Sequence, residues 1–268
     1  ESHTITFGYC SKEKGVKSLQ TTNYPNSLGL FYSSITQFLG FKPDSDEWKV
    51  MSLASYGKSK NNKFVKKFSS LYNFDNNSKF ELNLSYFGFH QPDIYGDKMF
   101  SPKIIKLLNL KPRRKEEAIN QDHKDLAWAL QNTFEIIIFK VLKSLNKVKK
   151  SDNLILSGGC FMNSVLNGKI NKVSNYKNIF IGSCPDDSGI SVGAALWGCS
   201  SKKNLPMQIN NYWGPNYSEK IEKFLINSKL EYTKLKDPSL KAAELISQNK
   251  ILGWFQGNME FGQRALGN

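Results

Sequence analysis

The chain has 268 residues, of which 40% are hydrophobic and 22% charged. This is enough chain and apolar surface to bury a sizeable core, and it excludes a disordered, collagen-like or disulfide-scaffold protein. With 37 Lys plus Arg against 23 Asp plus Glu the net charge is +14, yet Arg113, Arg114 and Arg264 are the only arginines. A nucleic-acid surface is usually richer in Arg, so the excess reads either as a solvated Lys-biased surface or as attraction for anionic substrates. Both readings leave nucleic acid a weak expectation.

In chain order, Thr4–Cys10 predicts a strand, and residues 27–40 a helix that stops at Gly40. A second helix is expected from Asp46 to Tyr56, ending at Gly57. Residues 73–100, rich in Asn, Gly and aromatics, predict an irregular insertion or a short hairpin. From Gln121 to Lys147 the pattern is one long helix whose centre, Ile136–Phe139, is apolar nearly all round and so expected to be buried. The rhythm then becomes strand (Asn153–Ser157), glycine turn, helix (Phe161–Val173), strand (Asn178–Gly182), acidic turn, helix (Ile190–Trp197). That alternation predicts an α/β layer. Ser200–Asn211 reads as a linker, followed by helices near Ser218–Asn227 and Leu240–Asn249 and a strand Ile251–Gln256. No apolar run is long enough to span a membrane. Cys10, Cys160, Cys184 and Cys199 lack CxxC spacing and are expected to be free thiols of a reducing cytoplasm.

Three segments carry candidate chemistry. In Leu156-Ser-Gly-Gly-Cys-Phe-Met-Asn163, Gly158 and Gly159 let the backbone approach a ligand where the next helix offers free N–H groups, and Asn163 is placed to reach a sugar or phosphate. An ordinary tight turn gives the same pattern, and neither a P-loop nor a dinucleotide fingerprint is present. In Cys184-Pro-Asp-Asp-Ser-Gly189, paired aspartates at a strand end suit a cation or metal–phosphate unit, or simply cap the next helix. In Gly253–Gly267, Arg264 stands in a glycine-rich loop, suited to bidentate anion recognition or to a surface ion pair. Cys160 sits in the first turn without a histidine nearby, so it is not expected to be a nucleophile. His3, His90 and His123 have no metal-ligand spacing.

Together these segments, in this order, resemble the O-carbamoyltransferase family. The likeness extends to Tyr24-Pro-Asn-Ser-Leu-Gly-Leu-Phe-Tyr-Ser33, Glu47-Trp-Lys-Val-Met-Ser-Leu-Ala-Ser-Tyr-Gly57, Tyr212-Trp-Gly-Pro-Asn-Tyr-Ser218 and Met259-Glu-Phe-Gly-Gln-Arg-Ala-Leu-Gly-Asn268. It covers nearly everything outside residues 60–120.

The resemblance implies a fold and a reaction. The fold is the second lobe of an actin-like (ribonuclease H-like) ATPase-type domain over residues 1–203, and the beginning of a YrdC-like domain over 204–268. The reaction is ATP-dependent transfer of a carbamoyl group from carbamoyl phosphate, through carbamoyl adenylate, to an acceptor hydroxyl. ATP and a divalent metal, iron-type or also Mg, are the implied cofactors. Small molecules are the implied partners, and a homodimer is compatible with the reading. Asp187 matches the family's metal-binding aspartate and is expected to be catalytic. Gly158, Gly159, Asn163, Ser188 and Gly189 would contact the nucleotide, and Arg264 would belong to the small domain's anion site. Three departures stand out, one being that the chain stops at Asn268, where the family is expected to continue with most of its small domain. The family's HxxxH pair is absent, being expected upstream of Glu1, so the chain reads as an interior piece that is inactive alone. Gln263 also stands where the family usually has Pro. The competing readings are an actin-like sugar or acetate kinase, which the Met-Glu-Phe-Gly segment does not suit, and a basic RNA-binding module.

Overall fold

The computed structural model describes residues 3–11, 13–75, 79–199, 210–263 and 267. The chain divides into two compact units, residues 1–181 and 182–268. It is mixed α/β, and among the described residues its sheets are small pairs of strands.

The first unit opens with an antiparallel hairpin, β1 (His3–Ser11) and β2 (Gly15–Asn23). The register shifts between Phe7 and Gly8, and a Cβ at Gly8 would lie 2.0 Å from the Lys17 carbonyl oxygen, so the bulge needs glycine. α1 (Leu28–Phe38) starts where the Ser27 hydroxyl accepts from the Leu30 N–H, and stops at Gly40, whose φ of +75° suits glycine. α2 (Glu47–Ala54) and the single turn α3 (Val65–Phe68) follow. The aromatic-rich stretch contains a three-residue hairpin, β3 (Tyr72–Phe74) with β4 (Phe80–Leu82). Two short helices the sequence did not signal come next, α4 (Pro92–Tyr95) and α5 (Pro102–Leu108).

α6 (Gln121–Val148) is the spine of this unit. A capping box starts it: the Asn120 side chain accepts from the His123 N–H, and His123 Nδ1 accepts from the Asn120 N–H. Its inner stripe, with Leu126, Leu130, Phe134 and Ile137 buried, packs among Phe31, Ile35, Phe38 and Phe68. Each such side chain contributes about 1.5–3 kcal/mol by leaving water. The centre of α6 is one-sided rather than buried all round, because Ile136 is 47% exposed. Arg113 closes the end of α1. Its side chain donates to the carbonyls of Leu39, Gly40, Arg114, Lys115 and Glu117, and its guanidinium lies over the Phe41 ring.

The unit ends in a parallel βαβ crossover: β5 (Asn153–Leu156), α7 (Ser164–Val173) and β6 (Asn178–Ile181), with Leu154 opposite Ile179 and Leu156 opposite Ile181. Leu154 and Leu156 face the core while Ile155 points out.

The second unit carries α8 (Ile190–Gly198), α9 (Ser218–Asn227) and α10 (Pro238–Ser247). The Asp237 side chain caps α10 by accepting from the Leu240 N–H. The strand expected over Ile251–Gln256 does not form. An apolar run becomes a strand only when another backbone takes up its N–H and C=O groups, and among the described residues the pairing nearby is the lone bridge between Asn216 and Asn258. Residues 200–209 of the expected linker lie outside the described residues. No helix among the described residues is long and apolar enough to cross a membrane.

Candidate functional site

β5 runs into a turn built for close approach. Gly158 has φ +109°, a region that disfavours side chains, and a Cβ at either Gly158 or Gly159 would meet nothing within 4 Å. A 3-10 turn, Gly159–Met162, then leads to α7. Asn163 is the N-cap of α7, its Oδ1 accepting from the Leu166 N–H at 2.9 Å.

The Asn163 amide also faces inward, to a buried polar network that local sequence did not signal. Asn163 Nδ2 donates to Gln131 Oε1 (2.8 Å), and Gln131 Nε2 donates back to Asn163 Oδ1 (3.1 Å). The Tyr32 hydroxyl donates to the same Gln131 Oε1 (3.0 Å), and Gln131 Nε2 donates to Glu135 Oε1 (2.9 Å). Lys169 of α7 places its ammonium 2.7 Å from both Glu135 oxygens. Burial first, then the Glu47 and Glu135 carboxylates, pushes the Tyr32 hydroxyl far above its ordinary range, so it remains a donor. Three helices, α1, α6 and α7, thus meet in one network behind the glycine turn. The signal that could have found it is a polar pair, Gln131 and Glu135, one turn apart among the mainly apolar buried residues of α6.

Cys160 lies in the same turn, and burial pushes its thiol up to about 11. It is therefore protonated near neutral pH, a poor nucleophile, as the missing neighbouring histidine suggested.

In the second unit, Asp187, Ser188 and Gly189 form a 3-10 turn that leads into α8. The Cβ of any residue at 189 would lie 2.1 Å from the Cys184 carbonyl oxygen, so glycine is required by space alone. Asp186 is engaged within the unit. Its Oδ1 accepts from the Ser188 hydroxyl at 2.6 Å and its Oδ2 from the Gln263 amide. Neither aspartate caps a helix through its side chain. Asp187 is exposed and hydrogen-bonds to no described residue through its carboxylate. Among the described residues no three of His, Cys, Asp and Glu gather as a metal site. The local donor set is one carboxylate, which does not hold a transition metal by itself.

Two separated motifs meet in the same unit. The Gly214 N–H donates to the Met259 carbonyl, the Met259 N–H to that of Pro215, and Asn258 Nδ2 to that of Tyr212. Trp213 stacks on Phe261 with centroids 5.6 Å apart. Gln263 supplies the amide that holds Asp186. Arg264 lies outside the described residues.

Comparison with known proteins bears on the whole chain. It is 32% identical over 262 residues to nodulation protein NolNO of Sinorhizobium fredii, an alignment covering 94% of this chain and 36% of that protein. It is 30% identical over 273 residues to nodulation protein NolO of Bradyrhizobium diazoefficiens, covering 97% and 46%. Over 116 residues it is 28% identical to 3'-hydroxymethylcephem-O-carbamoyltransferase of Streptomyces clavuligerus, covering 43% and 22%. The chain spans less than half the length of these relatives. Residues 4–196, which hold the glycine turn and its network, match the family model Carbamoyltransferase N-terminus. Residues 243–268, which hold the Met259–Gln263 segment, match Carbamoyltransferase C-terminus. With both models matched in order along it, the chain belongs to the carbamoyltransferase family.

Proposed function

We propose that the full-length protein is an ATP-dependent O-carbamoyltransferase that acts on a hydroxyl of a sugar or natural product in the cytoplasm. Water would first cleave carbamoyl phosphate to carbamate and phosphate, and the carbamate oxygen would then bond to the α-phosphorus of ATP, giving carbamoyl adenylate as pyrophosphate leaves. The acceptor oxygen would then bond to the carbamoyl carbon, the bond from that carbon to the AMP phosphate oxygen would break, and the hydroxyl proton would leave to a base or to solvent. Residues 1–203 are assigned to the actin-like, transferring part and 204–268 to the start of the YrdC-like, adenylate-forming part.

The observation that carries the reading is the open turn at Gly158 and Gly159, at a strand end, on a chain matching both carbamoyltransferase family models. Space that no protein atom fills lets the backbone N–H groups come close to a phosphate. Asn163 would meet the nucleotide with its remaining amide proton, Ser188 and Gly189 would line the acidic turn, and Arg264 would bind phosphate in the smaller part. Asp187 is proposed to give one carboxylate to an iron-type metal. Because the described residues supply no further ligands, no chemical step is assigned to that metal.

Gly159→Ala tests the reading. A methyl at 159 touches nothing in the protein, so folding is expected to be unchanged. In the full-length protein it is expected to lower AMP affinity by about tenfold or more, a loss of about 1.4 kcal/mol. Unchanged AMP affinity would remove the nucleotide from this turn. Absence of pyrophosphate release from ATP and carbamoyl phosphate by the unmodified protein would remove the adenylate.

A further inference from the structure

We infer that Gln131 is a positioning residue for Asn163. In the network behind the glycine turn it fixes which way the Asn163 amide faces and makes Asn163 a pure donor toward a nucleotide. The inference rests on the proposed placing of the nucleotide at the Gly158–Gly159 turn.

An amide side chain can face either way, and a buried one is oriented by its partners. The full capacity of Gln131 is used. Both Nε2 protons go to Glu135 Oε1 and Asn163 Oδ1, and Oε1 accepts from Tyr32 and Asn163. The orientation has a single solution. Glu135, held by the Lys169 ammonium, only accepts, so it must face the Nε2 end of Gln131. Tyr32, kept protonated by its burial, supplies the proton at the other end. Reversing Gln131 would set its oxygen against the carboxylate.

The same constraint passes to Asn163. Its Oδ1 takes protons from Gln131 and from the Leu166 N–H, filling both lone pairs. One Nδ2 proton goes to Gln131, and one remains. Asn163 can therefore offer a ligand one donated hydrogen bond and accept none. This matches a phosphate oxygen or a ribose oxygen acting as acceptor. It does not match a base edge that must donate. Without Gln131, Asn163 loses the partner that sets its face and can reverse, with the Leu166 N–H bond as its only restraint.

The test is a double-mutant cycle in the full-length protein with AMP as the probe, using Gln131→Met and Asn163→Ala. Methionine keeps the length and packing of glutamine and removes its hydrogen bonds. AMP titrations are read at the binding step that Asn163→Ala weakens, and any step insensitive to Asn163 reports the folded fraction. Gln131→Met is expected to weaken AMP by about fivefold to tenfold when Asn163 is present and by less than about twofold in the Asn163→Ala background. Equal weakening in both backgrounds, or none in either, overturns the assignment, since a merely structural Gln131 would act whether or not Asn163 has its amide. If Asn163→Ala leaves all AMP binding unchanged, the placing of the nucleotide fails and the inference falls with it. Should Gln131→Met not fold, Tyr32→Phe replaces it in the same cycle. It deletes one hydroxyl and is expected to cost about threefold, again only when Asn163 is present.

Discussion

Replacing Arg113 with methionine is expected to loosen the junction between α1 and the segment before α6. The guanidinium is buried and satisfied by five carbonyl oxygens rather than by a carboxylate. The five bonds are not worth their sum. Arg114, Lys115 and Glu117 are exposed, so water can replace the guanidinium at their carbonyls. The Leu39 carbonyl belongs to a fully buried residue, and stranding it costs about 1–3 kcal/mol. Loss of the contact with Phe41 adds about 0.5–1 kcal/mol, and relief of the buried charge's desolvation offsets part of the total. The balance is a local loss of about 2–3 kcal/mol, which is about 30-fold to 150-fold in an opening equilibrium. Hydrogen exchange reads it directly at the N–H groups of Gly40, Phe41 and Arg113, which bond to the carbonyls of Gln37, Thr36 and Phe38. Arg113→Lys is expected to recover less than half, because one ammonium cannot reproduce a planar fork. Exchange accelerated by less than about fivefold in Arg113→Met would show that the carbonyls are satisfied without the guanidinium.

Other outcomes follow from the same physics. His123 is held below its ordinary pKa, first by burial and then by the charge of Arg113, so the folded chain favours neutral imidazole. Its contribution is complete above about pH 6.5 and declines as pH falls from there through the lowered folded value. Protonation also removes the Nδ1 acceptor used by the Asn120 N–H, so the start of α6 is expected to lose exchange protection between pH 7.5 and 5, and His123→Gln to flatten that loss. Iodoacetamide at pH 8, followed by peptide mass spectrometry, is expected to label exposed Cys10 well before Cys160, and equal rates would contradict the burial of that thiol. Asp187→Asn in the full-length protein is expected to reduce bound metal by elemental analysis and leave the melting temperature within about 2 °C, because the carboxylate caps no helix. Unchanged metal content would end its assignment as a ligand.

Sequence and structure agree where local pattern carries the information. The β5–turn–α7–β6 succession is readable because period-two apolar strands flank a helical period and Gly158 marks the break. β2 has no legible strand pattern, because among its residues only Thr22 is buried and hardly any hydrophobic alternation is left. Ile251–Gln256 has the composition of a strand, yet no strand is formed there among the described residues, because pairing is a property of two segments, not of one. The network behind the turn was illegible for a different reason. Tyr32 and Gln131 are 99 residues apart, Gln131 and Asn163 are 32 apart, and no window on the chain contains the group. Arg113 carries no local signal of its role, because the carbonyls that take up its guanidinium include those of Leu39 and Gly40, more than seventy residues away.

The pairing of Tyr212–Pro215 with Asn258–Phe261 bears on how such chains can be recombined. A chimera with its crossover anywhere from 219 to 257 would take Trp213 from one parent and Phe261 from the other. It would also take Gly214 apart from Met259, at a spot where any side chain on 214 would come within 2.7 Å of the Met259 carbonyl oxygen. Crossovers before Asn211 carry both halves together and preserve the joint. Exchange of parts between relatives is therefore expected to respect this block, although some forty residues of sequence lie between its two halves.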